Sequence, residues 1–169
     1  MPSDTFSKLF DQFHPSLYRY LYRMTGSRTE AEELLQETFI KAMVSLKVKN
    51  LKQARAWLYK VARNLYVDWV RKSSAEQRMV DQIKQDALTT SHRGNPETEY
   101  DKKEQQQKLA QIMQRLPERM RTVLYLREVE EFSYMELCET MELTMSQVKV
   151  TLHRSRERFR ALAKEWEEE

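Results

Sequence analysis

Only two glycines, Gly26 and Gly94, and four prolines interrupt a chain of 169 residues. A strand-rich fold needs a tight turn roughly every 8–12 residues, and Gly and Pro supply most such turns. So little turn material argues against an all-β fold. The dominant residues, Ala, Leu, Glu, Lys, Arg, Gln and Met, all favour helix. The expected fold is therefore all-α.

The hydrophobic spacing places the helices. Phe6, Leu9, Phe10, Phe13, Leu17, Leu21 and Met24 recur at helical spacing, as one or two helices with a break or first turn near Pro15. Gly26 suits a helix C-terminus and Thr29 an N-cap, with Glu30, Glu32 and Glu33 in the first turn that follows. Leu34, Leu35, Thr38, Phe39, Ala42, Met43 and Leu46 form the buried stripe of that helix. After a polar interval from Lys47 to Gln53, a helix from about Ala54 to Lys72 buries Trp57, Leu58, Val61, Leu65 and Trp69. Residues 73–98 have mixed charge, few large apolar residues and a Gly-Asn-Pro break, and read as a flexible linker with at most a helical turn near Met79–Ala87.

Beyond the linker, Leu109, Ile112, Met113 and Leu116 make one stripe, and Pro117 opens the next helix, with Met120, Val123, Leu124 and Leu126 in the core. Ser133 and Glu136 have the spacing of a capping box. Tyr134, Leu137, Cys138 and Met141 then point inward, and the lone Cys138 reads as a structural thiol. After a short connection, Ser146 caps a last helix that runs to about Trp166. The organisation is thus two small helical domains, 1–72 and 99–169, joined by the linker 73–98.

Charge is distributed unevenly. Residues 47–72 hold eight cations against Asp68, a net of +7, and residues 145–164 hold six against Glu157, a net of +5. Glu165, Glu167, Glu168 and Glu169 make the tail acidic. Two separated basic blocks suit a polyanion gripped at two places. In the second block a short helix, a tight connection and a longer basic helix form a helix-turn-helix, whose second helix enters the major groove of DNA. Val148, Leu152, Ser155, Phe159 and Leu162 fix the buried edge of that helix. Lys149, His153, Arg156 and Arg160 share an exposed face, with Val150 and Arg154 beside them. In the first block Lys60, Asn64, Val67 and Arg71 share one face, and Trp57, Tyr59, Tyr66 and Trp69 are interleaved with the cations. Such a mixture suits single-stranded nucleic acid, although Trp57 and Trp69 also fit a core stripe.

Two glycines cannot build a phosphate-cradling loop, and His14, His92 and His153 have no metal-ligand spacing, so no enzyme, cofactor or metal is expected. No apolar run approaches a membrane span, and the start MPSDTFSKLFDQF is unlike a signal peptide. From the residues two readings remain: a self-sufficient helix-turn-helix regulator, and a basic module for lipid or an acidic protein.

AEELLQETFIKAM, ARAWLYKVARNLYVDWVRK and LPERMRTVLYLREVEEFSYMELCETMELTMSQVKVTLHRSRERFR, in that order, resemble the extracytoplasmic-function (ECF) sigma factors of bacterial RNA polymerase. The resemblance implies a polymerase- and minus-ten-binding region 2 over 1–72 and a minus-thirty-five-binding region 4 over 99–169. It further implies core RNA polymerase, promoter DNA and a possibly membrane-anchored anti-sigma factor as partners, in the bacterial cytoplasm, with catalysis left to the polymerase. Glu33, Gln36 and Glu37 match the clamp contacts, and Glu30, Glu33 and Glu37 do form an acidic ridge opposite the Leu-Phe stripe. Asn64, flanked by Lys60 and Arg71, matches the minus-ten reader. Val48–Ala56 matches the loop that accepts a flipped base, without the Gly and Ser frequent there. Lys149, Val150, His153 and Arg154 match the minus-thirty-five contacts, joined by Ser146 and Arg156. The 26-residue linker reaches at most ~86 Å extended but about 28 Å as a coil, which lets two domains close on each other or spread.

Overall fold

The computed structural model describes residues 2–45, 51–73 and 98–168, all of them helix or short connection. Seven helices lie among the described residues. They are α1 (Pro2–Thr25), α2 (Arg28–Ser45), α3 (Leu51–Lys72), α4 (Thr98–Arg115), α5 (Glu118–Glu128), α6 (Tyr134–Met141) and α7 (Met145–Glu168). The linker expected over 73–98, apart from its end residues, and the interval 46–50 lie outside the described residues.

α1 is one helix that runs through Pro15. A proline inside a helix costs about 3 kcal/mol. Leu9 and Phe13 before it and Leu17, Tyr20, Leu21 and Met24 after it are all buried, and this continuous stripe offsets the cost. Gly26 ends the helix at φ 69°, and its N–H donates to the Tyr22 carbonyl at 2.7 Å. The cap of α2 is Ser27, whose Oγ accepts from the Glu30 N–H at 3.3 Å; Thr29 already lies within the first turn. α2 buries Ala31, Leu34, Leu35, Thr38, Phe39 and Ala42. Met43, expected in the same stripe, is 60% exposed.

α3 begins at Leu51, three residues earlier than expected, and its buried set is rotated. Ala54, Leu58, Tyr59, Ala62 and Tyr66 are buried, whereas Trp57, Val61, Leu65 and Trp69 are half-buried. The cause is that α3 packs on two sides, against α1 and α2 and also against α6. Thr140 on α6 donates to the Ala56 carbonyl at 3.1 Å, and the Tyr59 and Phe132 rings meet edge to face at 5.1 Å. Tyr20 joins the same group, 5.5 Å from Tyr59 and 5.8 Å from Tyr125 between ring centres. The N-terminal and C-terminal helices therefore share one aromatic core.

α5 is the most enclosed helix, with six consecutive buried residues from Arg121 to Leu126. Pro117 is its N-cap residue. α6 carries the expected capping box: Ser133 Oγ accepts from the Glu136 N–H at 3.1 Å, and Glu136 accepts from the Ser133 N–H at 3.0 Å. Glu142 then closes α6 at φ 55°. The cap of α7 is Thr144, not Ser146. Thr144 Oγ1 accepts from the Gln147 N–H at 3.2 Å, and Gln147 Oε1 accepts from the Thr144 N–H at 2.9 Å. A T-x-x-Q box outcompetes the serine because both of its bonds close at once. Val148, Leu152, Ser155 and Leu162 of α7 are buried.

Replacing Thr144 by Ala should cost about 1 kcal/mol, whereas Ser146→Ala should stay within about 0.5 kcal/mol. Urea unfolding of the two variants measures this, and equal losses would place the cap wrongly.

Candidate nucleic-acid and partner interfaces

α7 presents the second basic block. Lys149, Val150, His153 and Arg154 are all exposed, Val150 at 46%. The α6–α7 connection holds this face outward because Val148 and Leu152 anchor the other edge in the core. His153 Nε2 lies 3.2 Å from Glu157 one turn on. Ser146 and Gln147 are exposed at the helix start, where a recognition helix meets base edges. Arg156 differs from its expected company. It lies about 10 Å along the axis from Lys149 on the same face, where α5 comes close. Its Nε and Nη2 both donate to Glu128 Oε1, at 2.9 and 2.7 Å.

The first block divides in two. Asn64 and Arg71 are exposed and line a concavity of about 440 Å³ between α2 and α3, with Lys41, Arg63, Leu65, Val67 and Asp68. Lys41 was missed in the sequence because it belongs to another helix, and only tertiary packing brings it to Asn64. Lys60 does not line the concavity; its Nζ lies 3.0 Å from Glu142 Oε1 at the end of α6. Arg63 Nε and Nη2 donate to Glu118 at 2.8 and 3.0 Å. Arg55 is bidentate on Glu136 at 2.8 and 2.7 Å, and its Nη1 donates to the Glu130 carbonyl at 3.1 Å. Burial works against the Glu136 charge, but the bonds from Arg55 and Ser133 hold its carboxyl below the usual range.

Two features of the first block need correction. Tyr59 and Tyr66 are core residues, so they are no platform for bases. Of the interval Val48–Ala56, residues 51–56 are the opening turns of α3 rather than a loop, and residues 48–50 lie outside the described residues.

Glu33, Gln36 and Glu37 are exposed on α2 as expected. Their ridge continues along the same face into Ile40, Met43 and Val44, which are 56%, 60% and 81% exposed. Helical spacing from Gln36 reaches these residues directly, but reading Met43 as core hid the patch. A separate groove of about 630 Å³ runs between α1, α4, α5 and α7. Tyr22, Leu109, Val129 and Phe159 contribute apolar surface, and Arg19, Arg23 and Arg160 line it with guanidinium groups. The neighbouring Tyr125 hydroxyl is pushed up to about 12 by burial. Cys138 is half-buried, and no cluster of metal-ligating residues occurs among the described residues.

The family models for sigma-70 region 2 and sigma-70 region 4 match residues 9–76 and 106–159. The chain is 31% identical to the RNA polymerase sigma factor YlaC of Bacillus subtilis over 154 residues, covering 90% of this chain and 88% of the relative. It is 30% identical to the ECF RNA polymerase sigma factor SigM of the same organism over 158 residues, 94% of each chain. Among solved structures, the sigma factor RpoE of Bartonella quintana, in complex with the anti-sigma factor NepR, shares the fold. The TM-score is 0.66 at 22% identity, over 95% of this chain and 97% of that one. CnrH, solved with the cytosolic domain of CnrY, matches at the same TM-score with 20% identity, over 96% of this chain and 89% of that one. With both sigma-70 regions matched in order and near-complete relatives at this identity, the chain belongs to the ECF group of the sigma-70 family, RNA polymerase sigma factors that direct promoter-specific transcription initiation.

Proposed function

We propose a division of labour along the chain: residues 1–72 bind core polymerase and hold the melted minus-ten element, 73–98 span the gap, and 99–169 read the minus-thirty-five element. The observation that carries it is the separation of unlike surfaces. An acidic and apolar ridge lies on α2, a cation-lined concavity between α2 and α3, and an exposed basic helix at α7.

In this reading Glu33, Gln36 and Glu37 dock on the polymerase, with Ile40, Met43 and Val44 supplying the apolar part. Asn64 reads an unpaired base edge, while Lys41, Arg71 and, once released, Lys60 take phosphates. Lys149, His153 and Arg154 reach base edges from the start of α7, and Val150 suits a thymine methyl. Ser146 flanks them, and Arg156, held by Glu128, meets backbone at most. The chain works in the cytoplasm and leaves catalysis to the polymerase. An anti-sigma factor controls it, in keeping with the complexes of RpoE and CnrH. The arginine-lined groove is the seat we assign to that regulator.

Three outcomes test the assignments. Met43→Glu combined with Glu37→Lys should weaken binding to core polymerase at least tenfold with an unchanged circular dichroism spectrum, because both parts of the ridge are lost; unaltered affinity would remove α2 from the interface. Asn64→Ala should lower open-complex formation on duplex promoters, reported by permanganate footprinting, and recover on a pre-melted bubble. An equal loss on both templates would signal a folding defect. Arg154→Ala should cost about 1–3 kcal/mol on the preferred minus-thirty-five site and flatten the ranking of single-base variants. Arg156→Ala should keep that ranking and change the salt slope by at most about one unit. Holoenzyme affinities at two salt concentrations distinguish the two, and a ranking preserved in Arg154→Ala would make Arg154 a phosphate contact only.

A further inference from the structure

We propose that Gln147 is a specificity-determining residue of α7, one that offers a base only hydrogen-bond donors and so selects guanine at one position of the minus-thirty-five element. The inference rests on the reading of α7 as the helix that meets that element.

Gln147 closes the T-x-x-Q box, and in that role its side chain folds back over the start of α7. Its Oε1 accepts the Thr144 N–H at 2.9 Å, while its own N–H donates to Thr144 Oγ1 at 3.2 Å. A backbone N–H can only donate, so the amide atom facing it is the oxygen, and the planar amide turns Nε2 away. Among the described residues Nε2 has no partner. Gln147 is exposed in the first turn of α7, where a recognition helix meets base edges. With Val150 and Arg154, three and seven residues on, it shares one exposed edge of the helix. Arg156, held by Glu128, lies about two and a half turns on and therefore on the opposite flank.

The bond to Thr144 decides which base the amide can serve. An unconstrained glutamine pairs with adenine through two bonds, donating to N7 and accepting from the N6 amino group at its oxygen. Here the oxygen already accepts a backbone N–H, and turning it to adenine would open the box. The two hydrogens of Nε2 are what remains to offer. Guanine presents two acceptors in the major groove, N7 and O6, and receives those hydrogens without disturbing the cap. Thymine presents one acceptor, adenine sets a donor beside its acceptor, and the amino group of cytosine opposes Nε2 donor to donor. The box therefore turns an adenine-reading side chain into a guanine-reading one. It also orders the side chain before DNA arrives, so less rotamer freedom is lost on binding.

The test places Gln147→Glu and Gln147→Ala in the full-length chain. It measures affinity of the reconstituted holoenzyme for promoter duplexes that carry each of the four bases at every minus-thirty-five position. Gln147→Glu keeps the box, because Glu136 accepts the Ser133 N–H in the same role at α6, but it presents acceptors alone. The wild type should prefer guanine to cytosine at one position by roughly 5- to 150-fold. Gln147→Glu should move the preference at that position to cytosine, whose amino group a carboxylate accepts, while its charge weakens all duplexes alike. Gln147→Ala should leave that position flat and the ranking at the others intact. Urea unfolding separates reading from capping: Gln147→Glu should keep the wild-type midpoint and Gln147→Ala should lower it. Should Gln147→Glu unfold early, the duplex ranking of Gln147→Ala decides. A ranking that Gln147→Glu leaves intact at every position, or a wild type that prefers adenine at the position Gln147 controls, overturns the proposal. A wild-type holoenzyme indifferent to every base of the element overturns the α7 reading with it, whereas wild-type preferences that survive both variants overturn this inference alone.

Discussion

The Arg121 guanidinium, 8% exposed between three helices, sets the terms for the rest of the packing. A charge so enclosed needs acceptors, since an unpaired buried cation costs several kcal/mol. Its Nη1 donates to the Met24 carbonyl and to the Tyr66 hydroxyl, each at 3.1 Å, and its Nη2 to the Leu116 carbonyl at 3.3 Å. Met24 lies in the last turn of α1, where carbonyls lack helical partners and the dipole end is negative. One side chain thereby fixes the end of α1, the middle of α3 and the α4–α5 corner. The Nε is left without a partner, so the arrangement is specific rather than maximally stable. Thr122 extends the same node, bonding Glu118 at 2.9 Å and lying 3.3 Å from the Tyr20 hydroxyl.

Around that node the electrostatics divide by direction. Cations of α3 that face α5 and α6 are spent inside the molecule, whereas Asn64 and Arg71 remain available toward α2. On α7 the side chains of Lys149, His153 and Arg154 are exposed, whereas Arg156 is drawn to Glu128 of α5. A helix seen as uniformly basic in the sequence thus has one of its cations, Arg156, engaged by protein.

Helix content, the helix-turn-helix and the free basic start of α7 were all legible in the sequence, because each rests on a local pattern: turn poverty, a capping box, one apolar edge. The resemblance of ordered motifs carried the family, which the comparisons bear out. What failed was single-stripe reasoning. It rotated the buried face of α3, since a helix wedged between two partners has two inward sides, and it mistook exposed Met43 for core. Caps were misplaced by two residues where two candidates stood close together, as with Ser27 and Thr29 and with Thr144 and Ser146. Buried Arg121 and the contribution of Lys41 were invisible, because both depend on helices distant in the chain. The inter-helix ion pairs were invisible for the same reason, with partners 55 and 81 residues apart.

Glu136 carries a double duty: its Oε1 receives the Ser133 N–H that starts α6 and also the Arg55 Nη2 from α3. Drift at such a position is constrained twice. Gln would satisfy the cap but not the cation, Asp would be too short to return to the Ser133 N–H, and Lys would break both. The Glu142 carboxylate, exposed and bonded to a single lysine, answers to the cation alone, because the cap at 142 is made by its backbone at φ 55°. Over evolutionary time the carboxylate at 142 should be exchanged more readily than that at 136, which changes only when the turn and the facing helix change together.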